Sequence, residues 1–465
     1  MDKSSKFFFE DQKYNKERIV RVLGGNLALL KSKGILYEDS SGDLIFNYVG
    51  VISNGRNVIF ILPKYCNRHL DEHSKRTLFN KLLKIFKKYS GLNKSRESDY
   101  FVSELDSDEV SDFMIADYLL NDFSLNGYYQ KKFTEYEIDG EGIIDWSKTV
   151  NEITPVFSKG VPYYFSTYNE VVQKDEYHLI VKIHKWALSK YFNDFGVILG
   201  FTGLEFDKSC DGMKILDYAD FFGSVINKEI VNTYVDRDVK LLKALKTAID
   251  REENQFSKRP TLSLYGTKYF HRVWEEVCKT VFSHVNEYVK KISRPNWINF
   301  TDIEVNKEKK TLEPDIIKAF EYRSKEYFLI LDAKYYNINF DGKKLEGNPG
   351  VEDITKQLLY DKALEKLSRG KTKHNAFLFP SSNSTNTFKV FGSVDFDFLD
   401  IAAVTLVYIS AEQVYNLYLE NKTFSTDDLF KFVSEINKSK KRHSVITSTL
   451  YGNMFLFTKR LSDKN

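Results

Sequence analysis

Apolar residues along this chain recur at two spacings, and the places where one gives way to the other mark its elements. Glu17–Ser32 carries them at helical spacing and ends near Gly34. Leu44–Ile52 and Asn57–Leu62 are short apolar runs joined by Ser53-Asn54-Gly55-Arg56, and Asn-Gly between such runs predicts a β-hairpin. Pro63 stops the second strand, and Leu78, Leu82, Leu83 and Phe86 restore a helical stripe over Lys75–Tyr89. Residues 1–95 thus read as an α+β module that recognises a ligand or docks a partner. Leu92–Ser111 is polar and aperiodic, a linker or exposed crossing. Residues 112–251 read as mainly helical, with helices at Phe113–Phe123, Tyr177–Phe195 and Val239–Ile249. Gly140-Glu141-Gly142 interrupts them as an inserted turn or strand.

The polar stretch Glu252–Arg259 ends at Pro260, the clearest boundary in the chain. Beyond it the periods alternate. A long helix is predicted over Lys268–Lys291, strands at Ile298–Val305, Asp315–Tyr322 and Tyr327–Tyr335, a helix at Val351–Leu367 after Asn348-Pro349-Gly350, and strands at Asn375–Phe379 and Ala403–Ile409. The whole is a multidomain α+β chain whose last part, 260–465, is an α/β domain around a central mixed sheet. No internal repeat is present.

Composition narrows this picture only a little. With 465 residues the chain exceeds one ordinary core. Its formal charge of +3 is too small to drive nucleic-acid binding by net field, so any such surface needs local charge segregation. One basic tract, Lys438–His443, is a phosphate contact or a solvated turn. Three scattered cysteines give neither a disulfide framework nor a zinc knuckle. The apolar run near the N-terminus is too short for a signal peptide, and no segment reaches the ~20 apolar residues of a membrane span, so a soluble, cytoplasmic protein without membrane partners is expected.

The chemistry concentrates around one strand. Asp332 and Lys334 end an apolar run two residues apart, on one face, with Ala333 on the other. Pro314-Asp315 opens the preceding strand. A hairpin closed by Arg323-Ser324-Lys325-Glu326 would bring both carboxylates and the amine to one end of the sheet. Two carboxylates, with the Ala333 carbonyl, suit a hard divalent cation such as Mg²⁺, with Mn²⁺ as substitute. The ammonium orients water and stabilises a phosphorane-like transition state. Acid-x-Lys triplets are common, and Asp11-Gln12-Lys13 and Asp341-Gly342-Lys343 also occur; a surface ion pair is the competing reading.

Pro314-Asp315 followed by Asp332-Ala333-Lys334 resembles the PD-(D/E)XK nuclease signature, and Tyr269–Glu276 with Leu329–Tyr336 resembles the LlaJI group of restriction endonucleases. Ile59–Tyr65 and Ile143–Thr149 are similar to segments of McrC-like proteins, the nuclease partners of AAA+ GTPases. The resemblance implies a restriction endonuclease that hydrolyses double-stranded DNA with Mg²⁺ at Asp315, Asp332 and Lys334. It also implies a further carboxylate from the preceding helix, Glu275 or Glu276, and a bracing or phosphate-touching Gln357 with Tyr360, here spaced QxxY where QxxxY is usual. An McrB-like AAA+ NTPase and a cognate DNA methyltransferase are the implied partners. No GxxxxGK[ST] sequence occurs, so any NTP hydrolysis belongs to another subunit. A non-catalytic adaptor that stimulates an NTPase, or a repair nuclease for structured DNA, are the alternative functions.

Overall fold

A computed structural model describes residues 7–54, 57–92, 112–175, 177–196, 199–201, 203–256, 262–299, 304–307, 311–338, 345–382 and 385–441. The crossing at Leu92–Ser111, the boundary at Glu252–Pro260, the Gly55-Arg56 turn and the tract Lys438–His443 lie partly or wholly outside them. The protein is mixed α+β and divides into two compact units: Met1–Gly50, Ile59–Val102 and Gly266–Asn465 form one, Val51–Val58 and Ser103–Tyr265 the other.

In the first unit, strand β1 (Phe7–Phe9) runs parallel to β2 (Val58–Leu62), Phe7 facing Phe60. Helix α1 (Glu72–Leu92) buries Phe79, Leu82 and Phe86. The predicted strand Leu44–Ile52 is two, Leu44–Phe46 and Val49–Ser53, because the first pairs with Leu36–Glu38 and the chain leaves that ladder at Asn47. The long helix predicted over Lys268–Lys291 is also broken. Helix α2 (Phe270–Val281) closes where Ser283 takes a left-handed φ of 54° and His284 N–H reaches back to Lys279 O at 3.1 Å. That closure is a Schellman motif without glycine, and a short helix, Asn286–Lys290, follows. The single strand expected at Ile298–Val305 is an antiparallel pair, Asn296–Asn299 with Glu304–Lys307.

The core of this unit is a five-stranded mixed sheet. Strands β3 (Ile316–Tyr322) and β4 (Lys325–Ala333) form a hairpin, helix α3 (Val351–Ala363) crosses over, and β5 (Thr372–Ser381), β6 (Phe388–Val394), β7 (Val404–Ser410) and helix α4 (Ala411–Leu419) follow. The order is β3-β4-β5-β7-β6, with β4, β5 and β7 parallel and both edges antiparallel. Arg323 and Ser324 both take positive φ, 49° and 59°, the backbone of a two-residue hairpin turn matched to strand twist. From residue 327 to Ala333 β4 is buried throughout; Leu358 of α3 packs with Phe377 and Phe379 on one side, and Trp274 of α2 reaches Leu378 O on the same strand. Edge strand β6 escapes prediction because Gly392 and a bulge at Val390/Gly392 break its alternation.

The second unit buries Phe113, Ile115, Leu119, Ile183, Tyr191, Leu241 and Leu245 among helices Asp112–Asn126, Leu179–Tyr191, Ala219–Val231 and Asp236–Phe256. Asp122 receives a two-pronged ion pair from Arg237, 3.0 and 2.7 Å. Between the first two helices stands more β structure than the predicted turn or strand. Lys131–Ile138 and Ile143–Ile144 flank Tyr168–Asp175 in a three-stranded antiparallel sheet, beside a hairpin of Val156–Ser158 and Val161–Tyr163. Lys131–Ile138 is exposed along nearly its whole length, so no buried face imposes the alternation by which a strand is read.

Candidate active site

The β3–β4 register decides the site. Ile316 stands opposite Leu331, so the preceding Asp315 falls beside Asp332. One oxygen of Asp315, Oδ2, accepts the Ala333 N–H at 2.9 Å, which ties its carboxylate to the end of β4. On the adjacent position Lys334 N–H donates to Leu378 O at 2.8 Å, anchoring that end to β5. Side chains two apart share a face, and Lys334 Nζ lies 2.6 Å from Asp332 Oδ2. Asp315, Asp332 and Lys334 are thus brought together as the sequence predicts.

A residue that the sequence reading passed over completes the ammonium's surroundings. Lys334 Nζ also donates to Asp353 Oδ1 at 2.9 Å, and Tyr336 OH donates to Asp353 Oδ2 at 3.3 Å. Asp353 sits in the first turn of α3, four residues before Gln357. That spacing puts the two on one helix face, the signal from which Asp353 could have been found.

Carboxylates crowd this corner. Burial, then the charges of Asp332 and Glu275, push the Asp315 carboxyl well above the usual range, against the pull of the Ala333 N–H. Burial and Asp332 push Glu275 up to about 7, although Lys334 and Arg272 oppose them. Burial alone would lower the Lys334 ammonium, but Asp332 and Asp353 outweigh it and raise its pKa, so it stays charged. Burial together with Asp332 and Asp315 lifts Tyr360 to about 12. His271 moves down through burial, Arg272, Lys64 and Lys334, so it too senses this corner.

The helix-borne glutamates separate cleanly. Glu275 feels Asp332 and Lys334, whereas Glu276 accepts the Thr280 hydroxyl one turn along its own helix at 3.4 Å. Gln357 is fully buried. Its Nε2 donates to Ile330 O at 3.3 Å and to Asn375 Oδ1 at 2.6 Å, and Asn375 Nδ2 returns a bond to Gln357 O at 3.2 Å. These bonds clamp α3 to β4 and β5, so Gln357 braces the strand that carries Asp332. Among the described residues no three His, Cys, Asp or Glu side chains are grouped closely enough to enclose a metal ion. The two carboxylates that meet at the end of β4 are those of Asp315 and Asp332.

Among the described residues no helix is long and apolar enough to cross a membrane. Solved structures similar to this chain include a chain of the refined half-complex from the tetradecameric assembly of Thermococcus gammatolerans McrB AAA+ hexamers with bound McrC. It is 11% identical, at a TM-score of 0.35 over 89% of this chain and 98% of that one. Another is a chain of the McrBC complex of the same organism, 12% identical, at a TM-score of 0.22 over 52% and 79%. Residues 48–412 match the model of the LlaJI restriction endonuclease, most of the chain including β3, β4 and the corner they form, and this protein belongs to the LlaJI restriction endonuclease family.

Proposed function

We propose that this chain is the DNA-cutting subunit of a cytoplasmic restriction system, a Mg²⁺-dependent endonuclease with a PD-(D/E)XK core that acts on double-stranded foreign DNA. The observation that carries this reading is the convergence of Asp315, Asp332 and Lys334 at one end of a mixed sheet. Asp332 Oδ2 is buried against the Lys334 ammonium 2.6 Å away, and burial, then the charges of Asp332 and Glu275, hold the Asp315 carboxyl well above its usual range. Buried carboxylates that repel one another in this way suit a cation held by Asp315, Asp332 and the Ala333 carbonyl. When bound, Mg²⁺ or Mn²⁺ supplies charge neutralisation at the scissile phosphate and acidifies a water. Lys334, kept charged between Asp332 and Asp353, orients the attacking water and steadies the negative phosphoryl oxygens. Glu275, near 7 before any cation binds, can hold a proton beside the reacting centre at neutral pH. Plasmid cleavage with Mg²⁺ and in excess chelator tests the reading: cutting should need the ion, and full activity in chelator would overturn it.

The partner in this reading is an AAA+ NTPase, with a cognate methyltransferase protecting host DNA. Support comes from the second unit, where the sheet and hairpin between residues 131 and 175 expose Ile138, Ile143, Trp146, Phe157, Phe165 and Val172, Phe165 at 83%. Soluble proteins seldom leave so many large apolar side chains on one small module unless a partner covers them. The lack of a phosphate-binding GxxxxGK[ST] sequence puts NTP hydrolysis on that partner.

A further inference from the structure

Immediately after Lys334, Tyr335 turns to the opposite side of the strand end and enters a buried polar cluster made by the N-terminal residues. Its hydroxyl donates to the Glu10 carboxylate, and both groups are nearly inaccessible. The backbone N–H of Lys64 is shared between the same Glu10 oxygen, 3.3 Å, and the Tyr335 hydroxyl, 3.1 Å. Glu10 is fixed in turn, because its own N–H donates to Leu62 O at 2.9 Å at the end of β2. The Tyr335 ring stands 5.1 Å from Phe270, the first residue of the helix that carries Glu275, and 6.2 Å from Tyr65, whose hydroxyl is 2.7 Å from that of Tyr415 on α4. One tyrosine therefore ties the Lys334 strand to β1, β2, α2 and, through Tyr65, α4.

We infer that Glu10 is a positioning residue for cleavage, holding Tyr335 so that the end of β4 keeps Lys334 in register with Asp332 and Asp315. The carboxylate meets two donors, and its removal leaves the buried Tyr335 hydroxyl without its acceptor and the Lys64 N–H with the tyrosine oxygen alone, a cost relieved by a shift of the strand end. Lys334 is the next residue, and small displacements of a reacting constellation cost large factors in rate. Glu10 touches none of Asp315, Asp332 or Lys334, so its effect is on turnover and not on DNA binding.

The rate part of this inference rests on the nuclease reading above; the geometric part does not. Hydrogen exchange of residues 331–337, without metal or DNA, is compared in the full chain and in Glu10→Ala, Glu10→Gln and Tyr335→Phe, and plasmid cleavage is measured beside it. Glu10→Gln keeps an acceptor oxygen and should exchange and cleave like the wild type. Glu10→Ala and Tyr335→Phe should exchange faster at 331–337, with kcat lowered about 10- to 100-fold, as for other residues that orient a site through a neighbour, and KM for DNA unchanged. If Glu10→Ala does not fold, Tyr335→Phe, which keeps the ring, decides alone. Wild-type exchange and kcat in Tyr335→Phe, or a Glu10→Gln as defective as Glu10→Ala, overturns the inference. Cleavage that survives Lys334→Ala sinks the nuclease site instead, and the exchange comparison then still judges the positioning.

Discussion

Glu275 and Glu276 are sequence neighbours with opposite surroundings, and the difference is measurable. Glu275 lies in the field of Asp332 and Lys334, while Glu276 bonds only to Thr280 on its own helix in the described contacts. Glu275→Gln should lower cleavage by about 10-fold or more, and Glu276→Gln should stay within about twofold; the reverse order would reassign the helix-borne carboxylate. Glu10 makes a pH prediction. Its carboxyl is raised from 4.5 to about 7, by burial above all, despite the Tyr335 and Lys64 donors. A raised folded-state value means a stability contribution that is complete below 4.5 and lost as pH rises through 7, here at most roughly 3 kcal/mol. Denaturant midpoints at pH 5 and pH 8 should therefore fall in the wild type by more than in Glu10→Gln; equal falls would contradict the raised value. The convergence of Asp315, Asp332 and Lys334 is legible because strand alternation and a short hairpin are local. Glu10 was not, since its partner Tyr335 lies 325 residues away and nothing local ties them.

Element boundaries show the same division between local and distant causes. The β3–β4 hairpin was read correctly in kind because two apolar runs flank a polar turn, and Arg323 and Ser324 supply the required positive φ. The break after α2 was missed because Ser283, with no composition signal, adopts a conformation usually taken by glycine. In the second unit the glycines did speak. A Cβ on Gly142 would lie 1.8 Å from Glu170 O, the close approach by which Ile143–Ile144 joins its sheet. Gly142→Ala should loosen that sheet by about 1–3 kcal/mol, seen as faster hydrogen exchange confined to residues 131–175. Unchanged exchange there would contradict the close approach.

At the scale of the molecule, residues 1–50 and 59–102 share a unit with the sheet that carries the site, a grouping hidden from the sequence because more than 160 positions separate them. The exposed apolar module of the second unit is the surface we assign to an AAA+ partner. Trp146→Asp and Phe157→Asp should abolish co-elution with a candidate AAA+ NTPase partner while leaving the fold intact, since both side chains are more than half exposed; retained co-elution would move the docking surface elsewhere. Lys334→Ala should still stimulate that NTPase. The most direct test of the central claim is plasmid cleavage with Mg²⁺ and the NTPase partner by Asp332→Ala and Lys334→Ala, with DNA affinity measured on the same preparations. Both variants should bind DNA like the wild type and leave the plasmid uncut, whereas cutting at the wild-type rate by either one would contradict the assignment of Asp315, Asp332 and Lys334 as the site of hydrolysis.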